Sequence, residues 1–274
     1  MGIEIIVNEL PYLSRGQKAA ISRFVNKNCS YYYFLNFIRI TSGNVADAIK
    51  LYYFDEDLRK VLLKYILRLE IQMKKDLIKN VESVAPGAVF WNDSSFYNMR
   101  FTTSNGIQPS KFEITKNSIL QKVSFMRFSG GVVGNDRAFY CCDFGNFTTL
   151  YANMLQQYRN SFEHQYIYNT NNTKEEIVKY FTCIRYIRNR CCHSNHIVSS
   201  KMRNQISGFN LLYLTRLPMT KFEQCLYFIY RNLDNKQGFK EELLRVLTKY
   251  EKYWYPYRAK HIFTENTINN IRNF

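Results

Sequence analysis

The sequence predicts an all-α fold from three observations: one long unbroken helical apolar stripe, three Ser/Thr-x-x-Glu helix starts, and the weakness of any strand pattern. The stripe lies between Gly43 and Pro86, where Leu51, Phe54, Leu58, Leu62, Tyr65, Leu69, Met73 and Leu77 recur three or four apart, the spacing of one helix face. Lys and Arg fill much of the other side, as expected for the central helix of a bundle. The helix starts pair Ser110 with Glu113, Thr173 with Glu176, and Thr220 with Glu223, so that hydroxyl and carboxylate each satisfy an orphan backbone donor. The second start opens the helix that runs into "YIRNRCCHSNHI", residues 186 to 197, and two amphipathic helices follow at about 219–234 and 237–254. Glycine and proline punctuate "VAPGAVFWNDSS" and "FSGGVVGNDRAF", which read as loops or a short hairpin; "YNTNNTK" reads as a polar connector, and the chain after Tyr257 as a polar, at most partly ordered tail. The expectation is one helical domain over residues 1–274, with an irregular insertion at about 82–143 and a C-terminal helical extension at about 201–274.

A chain of 274 residues with 46% hydrophobic and 16% aromatic residues has enough apolar surface to offset the entropy of folding. Its 38 Lys and Arg against 22 Asp and Glu leave a net charge of +16, a self-repulsion that an anionic partner relieves. Nucleic acid is the expected partner, although an A/T-rich coding sequence produces a similar Lys, Asn, Ile, Tyr and Phe bias. Seven cysteines without a scaffold-like spacing point to a reducing compartment. The N-terminal "MGIEIIVNELPY" has no basic-then-apolar leader, and no apolar run approaches the roughly 20 residues of a membrane span. A cytoplasmic protein is expected.

On a helix running from 173 to 196, Arg185, Arg188, Asn189, Cys192, His193 and His196 fall within an arc of roughly 140°, opposite Tyr180, Ile184, Ile187 and Cys191. The apolar side reads as core. The polar side reads either as a solvated basic face or as a phosphate-cleaving site. Imidazole exchanges protons near neutrality, and a guanidinium binds phosphate oxygens and stabilises developing negative charge. RNA suits such a set because its 2′-hydroxyl is a built-in nucleophile, and no Asp/Glu cluster of the two-metal type stands nearby. Arg188 and His193 are five apart, so one copy does not readily aim both at one phosphorus, whereas two copies facing across a two-fold axis can. Asn189 and His193, four apart, share a face, and Asn189 can orient the imidazole or the phosphate.

Arg188, Asn189 and His193 resemble the Arg-polar-x-x-x-His motif of the HEPN (higher eukaryotes and prokaryotes nucleotide-binding) ribonucleases. "LYYFDEDLRKVLLKYILRLEIQMKKDL" at 51–77, with Phe54, Asp55, Leu58, Arg59 and Glu70 in register, resembles the long-helix signature of the AbiD/AbiF abortive-infection family. "DFGNFTTLYANML" at 143–155 resembles that family's Phe-Gly-x-x-x-x-Leu-Tyr segment. The resemblance covers roughly residues 10–200. It implies a HEPN-like helical bundle, dimeric through its motif helices, that cuts RNA in antiphage defence or as a toxin. Some relatives are restrained by a structured noncoding RNA, and the family is thought related to the RNA-guided type VI CRISPR effectors. Family members often read Ala-His-His after the Asn, whereas here Cys192, His193, Ser194, Asn195 and His196 follow Arg190 and Cys191, so the second histidine is displaced.

The resulting expectation is a homodimeric, metal-independent endoribonuclease without a cofactor. His193 is the general acid/base, Arg188 binds the scissile phosphate and Asn189 positions them; Arg185, Arg190, His196, Lys252, Arg258 and Lys260 contact RNA. The competing reading is a basic RNA-binding protein that holds a structured noncoding RNA and does not cut it. A zinc site is disfavoured because Cys191 and Cys192 point to different sides of a helix and no second Cys-x-x-Cys pair exists. A DNA-binding regulator is disfavoured because no helix-turn-helix pattern is present. His164 and His261 read as surface residues, and Glu70 as either an arginine partner or a solvated carboxylate. "CSYYYFLNF" reads as core; "YEKYWYPYRAK" reads equally as core or as an RNA-stacking surface.

Overall fold

The computed structural model describes residues 10–98, 102–103, 106–107, 111–126, 133–167, 173–208, 211, 214–258 and 262–274. They are helical almost throughout; a two-residue antiparallel ribbon, Thr102–Thr103 with Gly106–Ile107, is the one strand pair among them. The chain divides into two compact units, one of Met1–Ile66 with Tyr186–Phe274 and the other of Leu67–Arg185. Among the described residues, no helix is long and apolar enough to cross a membrane. All seven cysteines are free thiols.

In the first unit, helix α1 (Arg15–Asn28) starts at a Ser14–Gln17 capping box that the Ser/Thr-x-x-Glu pattern does not include, glutamine replacing glutamate. Helix α2 (Tyr31–Ile40) is capped by Ser30 and buries Tyr31, Phe34, Leu35 and Phe37, the core role expected of "CSYYYFLNF". The turn after it uses Gly43 at φ +90, with the Tyr12 ring 2.8 Å from where a Cβ would sit; only glycine fits there. Helix α3 (Val45–Val84) then runs for 40 residues, about 60 Å at 1.5 Å per residue, and crosses into the second unit. All eight stripe residues, Leu51 through Leu77, are at most 1% exposed. Each such burial contributes on the order of 1.5–3 kcal/mol.

The second unit contains the C-terminal half of α3, then α4 (Lys111–Phe125), α5 (Asn135–Cys141), α6 (Phe144–Asn153), α7 (Asn160–Tyr166) and α8 as far as Arg185. Two short 3-10 turns, Phe90–Asn92 and Ser94–Phe96, occupy the "VAPGAVFWNDSS" region. The "GNDRAF" part of the second expected loop is instead helix α5: Gly134 caps it, and Ala138 and Phe139 are buried. Asp143 caps α6 through the Asn146 N–H (2.8 Å), and Phe144, Phe147, Tyr151, Phe162 and Phe181 pack ring against ring.

Helix α8 (Thr173–Cys192) brings the chain back into the first unit, followed by α9 (Ser200–Ser207), α10 (Lys221–Asn232), α11 (Lys236–Lys249), α12 (Glu251–Trp254) and α13 (Thr267–Arg272). Thr220 and Glu223 form the expected capping box; Ser110 and the side chain of Thr173 lie outside the described residues. The expected polar tail packs against its unit. Trp254, Ile262, Phe263 and Ile271 are buried, with Phe263 5.2 Å from the Trp254 ring centre and Phe54 stacked beyond at 6.3 Å. Glu223 organises this packing, because its carboxylate accepts from Thr220 N–H, Thr264 N–H and the hydroxyls of Thr264 and Thr267.

Candidate active site

The end of α8 determines where the motif side chains go. Ser194 adopts a left-handed backbone (φ 50). The Asn195 N–H reaches back to the Arg190 carbonyl (2.8 Å), and the Ser194 N–H to the Cys191 carbonyl (3.4 Å). These paired bonds are the Schellman stop. The helix therefore ends at Cys192 and does not continue through His196. His193 retains its helical bond to the Asn189 carbonyl (3.0 Å) and stands exposed at the cap. Its imidazole hydrogen-bonds no described residue, so both ring nitrogens remain open to an incoming group. Asn189 is exposed and accepts from Arg188 Nη1 at 3.4 Å, while Arg188 is half-buried.

The stop turns His196 inward, off the cationic arc that a continuous helix assigns to it. Its ring lies 3.9 Å from the Tyr33 ring and 4.9 Å from Phe37, centre to centre. Burial, with Arg190 and Arg59 near, pushes its pKa from 6.5 down to about 4 against the opposing pull of Asp55, and its Nδ1 has no hydrogen-bond partner among the described residues. This histidine is neutral near pH 7 and packs as an aromatic. Arg190 also turns to structural work: its Nε donates to the His196 carbonyl (2.6 Å) and its Nη1 to the Tyr186 hydroxyl (3.3 Å), which braces the turn.

A buried carboxylate holds the turn from the other side. Asp55 of α3, fully buried, accepts from the Ile197 and Val198 N–H groups at 2.8 Å each through Oδ1. Its Oδ2 accepts from Arg59 Nε (2.9 Å) and the Tyr33 hydroxyl (3.1 Å). Burial works against the charge of Arg59, but Asp55 together with Tyr33 and Cys191 raises its pKa on balance; burial and Asp55 together hold the Tyr33 phenol protonated. Asn36 adds a bond to the Val198 carbonyl (3.2 Å). The segment after His193 is thus fixed by backbone hydrogen bonds to groups on α2 and α3.

Between these walls lies a cleft of about 550 Å³, lined by His193, Ser194 and Asn195 on one side and by Tyr33, Tyr52, Glu56, Arg59 and Lys60 on the other. Asp55, Arg59 and Tyr33 were not among the expected site residues. Asp55 was nonetheless legible as an anomaly, an acid four residues from Leu51 and three from Leu58 on an apolar stripe.

The other expected contacts are dispersed. In the second unit, half-buried Arg185 lies over Gly145, where an added Cβ would come 3.5 Å from Arg185 Nη1 and 3.1 Å from Asp143 Oδ1. In the same unit Glu70 is buried rather than solvated and pairs with Lys74 (2.7 Å), whose ammonium also donates to the Cys142 carbonyl. In the first unit Lys252 and Arg258 are exposed, Arg258 lying 3.6 Å from Glu265. Trp254 of the same aromatic stretch is core, and Tyr255 remains 42% exposed. His164 is exposed, whereas Lys260 and His261 lie outside the described residues. Among the described residues, no group of three or more His, Cys, Asp or Glu side chains is placed to hold a metal ion.

No curated protein and no solved structure matches the chain. A family model described as Abi-like protein matches residues 27–199, from the end of α1 to the segment held by Asp55, and takes in the long helix, the Phe-Gly segment and the turn that carries His193. That span is well over half of the 274 residues, and the chain belongs to the Abi-like family of abortive-infection proteins.

Proposed function

We propose that the protein is a metal-independent endoribonuclease toxin of the HEPN type, acting in antiphage abortive infection or as half of a toxin–antitoxin pair. The observation that carries the reading is His193: an exposed imidazole without a hydrogen-bond partner among the described residues, on a turn fixed by a Schellman stop and the buried Asp55. Fixed backbone and free side chain suit general acid–base work, where geometry must be held and the proton must be free to move.

In the reaction, His193 takes the proton of a ribose 2′-hydroxyl as that oxygen bonds to the adjacent phosphorus. The bond from phosphorus to the 5′-oxygen breaks, and a proton returned to that oxygen gives a 5′-hydroxyl end opposite a 2′,3′-cyclic phosphate. Arg188 neutralises the extra charge on the phosphoryl oxygens, and Asn189, which accepts from Arg188, sets the orientation of its guanidinium. The five-residue spacing of Arg188 and His193 favours a homodimer in which each site draws on both copies. A net charge of +16 favours a structured noncoding RNA as the restraining partner, with Lys252 and Arg258 as outlying phosphate contacts. His196 is not among the catalytic groups in this scheme.

The test is cleavage of total RNA in the presence of EDTA by the wild type, Arg188→Ala and His193→Ala, with product ends mapped. Cyclic-phosphate ends from the wild type and their loss from both variants support the reading. Cleavage that needs magnesium or survives His193→Ala overturns it. Tight RNA binding without cleavage points to a holder of RNA.

A further inference from the structure

The acid–base scheme uses one lip of the cleft beside His193 and leaves the opposite wall without a role. Arg59 stands on that wall with its side chain 12% exposed. Asp55 takes its Nε, and neither Nη group donates to a described residue, so the outer edge of the guanidinium remains open to two oxygens of an oxyanion. Glu56, three residues before Arg59, pairs with the largely exposed Lys60 (2.7 Å), so one carboxylate oxygen has no described partner. The Asn195 side chain on the lip opposite is also open, and Tyr52, held by its bond to the Asn28 carbonyl (3.2 Å), contributes an apolar edge.

We propose that this cleft is a nucleotide subsite that receives one unpaired ribonucleotide next to the scissile linkage, with guanine the favoured base. The volume of about 550 Å³ accommodates a mononucleotide and falls in the ordinary range for small-ligand sites. Phosphate matches the open Nη edge of Arg59. Guanine is the base that offers two adjacent donors, N1–H and the 2-amino group, to a carboxylate such as Glu56; adenine and cytosine offer one amino group there, and uracil a single imino N–H. Asp55 gives the site its rigidity, because the carboxylate that orients Arg59 also holds the Ile197 and Val198 N–H groups behind His193. One residue thus ties the phosphate-binding guanidinium to the segment that follows His193. The inference rests on the nuclease reading for its place in a reaction, and on the cleft alone for binding.

The experiment titrates full-length His193→Ala protein, which does not consume RNA in this scheme, with 5′-GMP, 5′-AMP, 5′-CMP and 5′-UMP by calorimetry. Saturable binding with GMP tightest is expected. Glu56→Gln in the same background should weaken GMP about tenfold and bring it level with the others, since a hydrogen-bonded charged acceptor is lost. Arg59→Lys should weaken all four by about tenfold, because an ammonium lacks the paired N–H edge that the guanidinium offers two phosphate oxygens. Thermal unfolding of each variant keeps loss of fold apart from loss of binding. No saturable binding, or affinities unchanged in both folded variants, overturns the subsite. If wild type cleaves RNA while no nucleotide binds, the subsite falls and the nuclease reading stands; if nucleotides bind as expected while RNA is never cut, the reverse holds.

Discussion

Asp55 and Glu223 are two solutions to the same problem, and they differ in what they leave open. Both are carboxylates at 0% exposure in the first unit, and both reach a distant segment through its backbone, Asp55 accepting from two N–H groups and Glu223 from one. Asp55 has a cationic partner in Arg59, and the segment it holds carries an exposed imidazole and lines a cleft. Glu223 is satisfied by amides and hydroxyls of Thr220, Thr264 and Thr267, and the segment it holds carries Ile262 and Phe263 into the core. The second arrangement is complete when the chain is folded. The first leaves His193, the Nη edge of Arg59 and the Asn195 side chain without hydrogen-bond partners among the described residues. A buried charge costs several kcal/mol to desolvate, and here that cost fixes the backbone from which unsatisfied groups project.

The sharpest way to break the contrast is His193→Ala. If the proposed reaction operates, RNA cleavage should fall about 10²- to 10⁴-fold while the urea unfolding midpoint stays within error of wild type, because the side chain is exposed. Next in size is Asp55→Asn, which leaves Arg59 without its counter-charge. Urea unfolding should show a loss of about 3–5 kcal/mol, and cleavage at temperatures where the variant is still folded should drop as well.

Acid should act on the first region through His196. Its folded pKa, about 4, lies below its ordinary 6.5, so the unfolded chain binds the proton first. The contribution to stability is whole above about pH 6.5 and is lost as pH falls toward 4, by up to about 3 kcal/mol. His196→Phe, which keeps the packing against Tyr33 and Phe37, should unfold with a shallower pH dependence across that window. An unchanged pH profile would show that other groups carry the acid response.

Glu223→Gln is the matched test of the closed arrangement. It should cost about 1–3 kcal/mol through imperfectly satisfied donors and leave the cleavage rate of the folded protein unaltered. If cleavage falls as it does for Asp55→Asn, the two carboxylates are not separable in role. The smallest effect expected is from Ser194→Gly, which relieves a left-handed serine and should raise the unfolding midpoint slightly, by about 0.5–1 kcal/mol in stability, without moving the turn.

Where the pattern was periodic, little was lost between sequence and structure. The stripe from Leu51 to Leu77 is buried at every position named, the Thr220–Glu223 capping box forms, and α10 and α11 lie within a few residues of their expected bounds. The misreadings fall where no period operates. "GNDRAF" looks like loop because its glycine and asparagine stand at a helix start. The tail after Tyr257 looks polar because its few apolar anchors, Ile262, Phe263 and Ile271, are spaced irregularly.

Sequence by itself determined the helical class, the burial of each stripe residue and the local chemistry at the end of α8, because helix formation and amphipathic burial depend on neighbours three and four residues away. Tertiary structure alone decided that His196 turns inward while His193 stays out, and that Asp55 reaches Ile197 and Val198, 142 and 143 residues along the chain. A polar group's partner is chosen by whatever folding brings within 3 Å of it, and no local spacing encodes that choice.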